Sequence, residues 1–206
     1  MKLIYSLGWL GVLVLFSACA TFRLGTEFAS GREAMFAGNY ETALGYFQSV
    51  AQQDPDYAYG GVLRQGIWSY VGRTQYLTGK WAEAQQTLEK ALTQDKGKEL
   101  INLYLGMTLI RLGNRQKGLE HLEAGMKGVA EFINYVAEVF RYNIGSFWDP
   151  GYAIRKAVAG ALSMASGENI DWQRLITEGE WIGMNFEREP DLANAQRFQQ
   201  QQAPTQ

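Results

Sequence analysis

The chain has 206 residues, with 19 Lys and Arg against 21 Asp and Glu, a formal net charge of −2 and a sequence pI near 5.5. That near-balance excludes the broad basic surface on which nucleic-acid binding depends. The length and the 47 % apolar content suit one globular domain with its own core and argue against a second full domain.

Lys2 is the one charge ahead of an apolar run from Leu3 to Phe16. The run is shorter than the roughly 20 residues of a membrane span, and it suits the hydrophobic region of a secretory signal. Phe16-Ser17-Ala18-Cys19 follows and resembles the lipobox of bacterial lipoproteins, with Phe16 where leucine is usual. Cys19 is the only cysteine, so it has no disulfide mate, and it sits where a lipobox carries its lipid. Ala18-Cys19-Ala20 also fits the small-x-small site of ordinary signal cleavage, which would release a soluble periplasmic protein. The lipoprotein resemblance implies a signal peptide over 1–18, a lipidated tether over 19–26, and an outer-membrane lipoprotein facing the periplasm if the host is Gram-negative, because Ala20 follows the cysteine.

From Gly72 to Gly125 one pattern is written twice. Gly72, Gly79, Ala84, Leu88 and Ala91 recur as Gly106, Gly113, Gly118, Leu122 and Gly125, each 34 residues on. Small residues let two helices approach closely, the leucines fill the space between them, and Gly79 and Gly113 stop the first helix of each pair in a left-handed conformation. Gly31, Gly38, Ala43, Phe47 and Val50 form a more degenerate copy, displaced by 41 residues, with the extra residues around Asp54-Pro55-Asp56 and Tyr57 to Gly61.

Beyond Gly125 the interval fails, but helical character persists. Phe132, Val136, Val139 and Phe140 form a stripe ending near Gly145; Asp149-Pro150 reads as an N-cap and first-turn proline; Asp171 caps a last helix that should end at Pro190. Trp148 reads as packing over the junction between array and cap, and Trp172 and Trp181 as buried anchors of the last helix pair. The glutamine-rich run from Gln199 should be disordered.

Nothing in the sequence assembles a conventional catalytic site or metal centre. His121 is the only histidine and reads as a solvated surface residue, and no GxSxG, P-loop or dinucleotide fingerprint is present. The pairs Glu178/Glu180 and Glu187/Glu189 lie two residues apart on helices and point in different directions. No cofactor is implied.

The 34-residue interval resembles the tetratricopeptide repeat (TPR). The resemblance covers about residues 24–130 and implies an all-α, TPR-type α-solenoid of about three helical-hairpin repeats, with an array over 27–130, a C-terminal helical cap over 131–190 and a disordered tail over 191–206. In such arrays the first helices of successive repeats line a concave groove. Carried over by register, the partner-binding positions are Arg32, Phe36, Ser69, Arg73, Tyr76, Met107 and Arg111, a surface suited to an acidic, hydrophobic peptide. The expected function is that of a non-enzymatic adaptor or assembly factor of the bacterial envelope, with a protein or peptide partner and a lipid anchor. The alternative is a transporter-associated lipoprotein that holds a solute or lipid between the array and its C-terminal helices.

Overall fold

The computed structural model describes residues 23–94 and 98–202. The signal-like run, Cys19, the tether as far as residue 22 and the last four residues lie outside them. The chain forms two compact units, dividing between Tyr57 and Ala58.

In the first unit, helix α1 (residues 23–36) and helix α2 (Tyr40–Gln53) form a hairpin. Gly38, at φ +81°, turns the chain between them, with the Gly38 N–H bonded to the Met35 carbonyl and the Asn39 N–H to that of Ala34. Phe28 packs on Phe47 and Tyr57, at ring separations of 5.4 and 5.2 Å. A Cβ at Gly31 would come within 2.7 Å of the Phe47 ring, so the glycine makes room for that aromatic.

The second unit begins with a two-residue antiparallel ladder, β1 (Ala58–Tyr59) with β2 (Gln65–Gly66), where the sequence places its inserted residues. Among the described residues its other elements are helical: α3 (Ile67–Leu77), α4 (Trp81–Gln94), α5 (Lys98–Arg111), α6 (Arg115–Val139), a 3₁₀ turn (Gly145–Phe147), α7 (Ala153–Ala165) and α8 (Trp172–Gln202). Gly79 at φ +78° and Gly113 at φ +89° end α3 and α5 with the same pair of bonds as Gly38.

The small residues sit where helices cross. A Cβ at Gly72 would meet Leu88 at 2.7 Å; one at Gly106 would collide with the backbone of Leu122 and lie 2.7 Å from the Gly118 carbonyl; one at Gly125 would collide with the backbone of Leu103. Helix α5 is buried around its whole circumference, from Leu100 and Ile101 to Leu109 and Ile110, because it lies against α3, α4, α6 and α8. The core continues through Met126, Val129 and Ile133 of α6 to Trp148, Ile154, Val158, Leu175, Ile182 and Phe186.

Three boundaries differ from the sequence reading. Helix α6 runs unbroken through residue 130 to Val139, so the stripe around Phe132 continues the second helix of the last hairpin; Val129, Ile133 and Val136 extend its buried side. Helix α7 begins at Ala153 rather than at Pro150, after a turn in which Asp149 (φ +45°) and Tyr152 (φ +58°) are both left-handed. Helix α8 continues through Pro190 to Gln202. The proline removes one backbone donor and crowds the Phe186 carbonyl, but Ala193, fully buried, and the bond from Arg197 to Asn143 at 2.6 Å hold the turns beyond it.

Candidate functional site

The inner face of α3 and α5, where sequence register places the groove, carries α8. Gly179 and Gly183 let α8 lie close, since a Cβ at Gly179 would reach Met107 at 2.8 Å and one at Gly183 would reach the Tyr104 ring at 2.7 Å. Leu175, Ile176, Ile182 and Phe186 supply its buried stripe. Arg73, Tyr76 and Met107 are buried as a result, and Ser69 is buried beside Gln65.

A polar network fixes the register of α8. The Arg73 guanidinium donates to Glu187 Oε2 at 3.1 Å, with both side chains 2 % exposed. Glu187 also accepts from the Tyr70 hydroxyl and from Gln65 Nε2, each at 2.8 Å. Burial alone disfavours the Arg73 charge, yet Glu187 with Tyr70 and Tyr104 outweighs it and holds the guanidinium above its ordinary pKa. The guanidinium also lies over the Tyr70 ring at 4.5 Å, while one of its nitrogens, Nη2, has no acceptor. Breaking such a buried pair by removing one partner costs about 3–5 kcal/mol.

Nearer solvent, Tyr76 donates to Glu180 at 2.5 Å, and burial, followed by that bond, pushes the phenol well above its ordinary pKa. Arg111 lies at the rim, 3.6 Å from Glu180, and its side chain is 27 % exposed. It bonds Gln173 and stands over the Trp81 ring at 5.7 Å. An ion pair so exposed contributes under about 1 kcal/mol. In the first unit, the buried Arg32 guanidinium stands 5.0 Å from the centre of the half-buried Phe36 ring.

A second polar cluster forms around Asp149, which is 3 % exposed. Its carboxylate accepts from the N–H groups of Ile154 and Arg155 and from Arg155 Nε at 3.0–3.1 Å, so it satisfies the first turn of α7 from within the preceding loop. Glu189 accepts from the Asp149 N–H at 2.7 Å, and burial raises its pKa. The acidic pairs separate: Glu187 turns to Arg73, Glu189 to Asp149 and Glu180 to Tyr76. Among the described residues, no three His, Cys, Asp or Glu side chains are grouped to hold a metal.

Other sequence expectations shift. His121 is half-buried and bonded to Asn102 at 2.9 Å, and burial, helped by Lys117, lowers its pKa. Trp181 is 42 % exposed, so the anchors of α8 are its aliphatic residues and Phe186. Trp148 is buried between Phe132 and Phe186, at ring separations of 5.7 and 6.2 Å.

Two clefts flank the loop after α6. One, of about 280 Å³, is lined by Val62, Phe140, Ile144, Trp148 and Pro190 with Asn143, Asn194 and Arg197. The other, of about 340 Å³, is lined by Arg141, Tyr142, Ser146, Phe147, Gln200 and Gln201, again with Asn143 and Arg197. Among the described residues, no helix is long and apolar enough to cross a membrane. No protein-family model and no curated protein matches the chain.

Proposed function

We propose that the chain is a TPR-type α-solenoid lipoprotein of the bacterial envelope that works as a non-enzymatic adaptor or assembly factor, holding a protein or peptide partner. The repeat reading is supported by the 34-residue interval, which coincides with two helical hairpins each turned by a left-handed glycine, Gly79 and Gly113. One observation carries the binding reading. The polar groove positions of the second unit already grip carboxylates of α8, a polar helix with one buried apolar stripe: Arg73 holds Glu187, and Tyr76 and Arg111 hold Glu180. The chemistry that the register assigns to a partner is thus satisfied by α8, and the part of this face open to a visitor is its rim at Arg111 and Trp81.

A photoreactive residue at exposed Gln173, beside Arg111, tests this in intact cells. A discrete protein adduct that disappears with Arg111→Glu is expected; no adduct, or one unmoved by that change, rejects the adaptor. Anchoring is tested separately, since Cys19→Ser should abolish incorporation of labelled fatty acid.

A second reading, a solute- or lipid-binding protein, is favoured by the two clefts between α8 and the loop after α6, whose linings mix apolar and polar side chains.

A further inference from the structure

We propose that the two clefts sharing Asn143 and Arg197 form one site for a small amphipathic monocarboxylate, its apolar body in the Trp148 chamber and its carboxylate at Arg197 and Arg141. The proposal rests on the second reading above and names its ligand. The smaller cleft, the chamber, is open to solvent and walled mainly by Val62, Phe140, Ile144, Trp148 and Pro190, with Asn143, Asn194 and Arg197, while the larger one is mainly polar. Such a division orients a molecule that is apolar at one end and hydrogen-bonding at the other.

Charge decides the sign of the polar end. The two linings contain two arginines and no Asp or Glu. Arg197 bonds a neutral acceptor, Asn143 Oδ1, and exposed Arg141 makes no ion pair among the described residues. Two guanidinium groups without a carboxylate partner favour an anion, and their planar forks match a carboxylate. Two further donors in the chamber wall, Trp148 Nε1 and Arg197 Nε, are buried with no acceptor. Buried donors are normally satisfied, so the ligand's carboxylate answers Arg197 Nε, and Trp148 Nε1, beside the apolar body, is answered by water held with the ligand. At about 280 Å³ the chamber lies at the small end of ligand pockets, which begin at roughly 300 Å³, and so suits a short-bodied molecule rather than a peptide.

The test is calorimetric titration of the full chain, held in neutral-lipid nanodiscs with empty discs as the blank. The probes are octanoate, octanol as the same body without charge, and acetate as the same head without a body. Saturable octanoate binding is expected, at least tenfold tighter than octanol, with acetate silent. Arg197→Gln and Arg141→Gln should each weaken octanoate at least tenfold and leave octanol unchanged. Val62→Trp, which fills the chamber, should abolish both, with circular dichroism showing the helices intact. Octanol binding as tightly as octanoate, or octanoate binding unmoved by either arginine change, overturns the carboxylate assignment while leaving a solute site in place. No saturable binding of either overturns the proposal and the second reading together.

Discussion

Along the seam between α5 and α6, glycines bring backbone against backbone: a Cβ at Gly106 or Gly125 would strike the main chain of the opposing helix. Along the seat of α8, Gly179 and Gly183 meet side chains rather than backbone, and a buried ion pair joins Arg73 to Glu187, separated by 114 residues in sequence. The first seam is specified by main chain meeting main chain and is local in sequence. The second is specified by polar groups that are costly to bury unless they meet. A helix held by packing alone tolerates small slips, whereas α8 must place Glu187 among Arg73, Tyr70 and Gln65 at once.

Each seam can be broken in its own way. The largest loss is expected at the polar seat: Glu187→Ala strands the Arg73 guanidinium and the Tyr70 hydroxyl and should cost about 4 kcal/mol, read by denaturant unfolding. At the glycine seam, Gly106→Ala should cost about 3 kcal/mol, because the obstacle is the backbone of Leu122 and cannot rotate away. Gly72→Ala meets the Leu88 side chain instead and should cost less, which sharpens the distinction between backbone and side-chain contact. Asp149→Ala removes the acceptor for the first N–H groups of α7 and should lower stability by about 2 kcal/mol, with loss of helicity confined to that element.

The smallest effect is a pH dependence. Glu189 has a raised folded pKa, so the folded state holds its proton more tightly than the unfolded chain. Its stabilising contribution is therefore present at low pH and is lost as pH rises from the ordinary glutamate value of about 4.3 through the raised one. Glu189→Gln keeps an acceptor for the Asp149 N–H and should flatten that decline, giving a variant more stable than the parent at pH 8; a melting series from pH 4 to pH 8 reads it.

The two seams also differ in how legible they are. The glycine seam was written in the sequence as an interval, since Gly72/Gly106 and Gly79/Gly113 repeat at 34 residues and their steric roles follow from having no Cβ. Register likewise brought Arg73, Tyr76, Met107 and Arg111 to one face of α3 and α5. What covers that face was not legible. Glu180 and Glu187 lie on α8 among other acids, and only three-dimensional closure distinguishes the two that meet Tyr76 and Arg73 from Glu178, on the same helix. Pro190 reads as a stop because local propensity cannot register the burial of Ala193 that carries the helix past it.

The account turns on α8 being locked into the inner face of α3 and α5 by the buried Arg73–Glu187 pair. A double-mutant cycle with Arg73→Leu and Glu187→Leu, measured by equilibrium unfolding, tests this most directly. It should give a coupling of about 2 kcal/mol or more, with the double variant more stable than either single one because each single change leaves a charge buried alone and the double change leaves none. Additive losses, with coupling below about 0.5 kcal/mol, would contradict it.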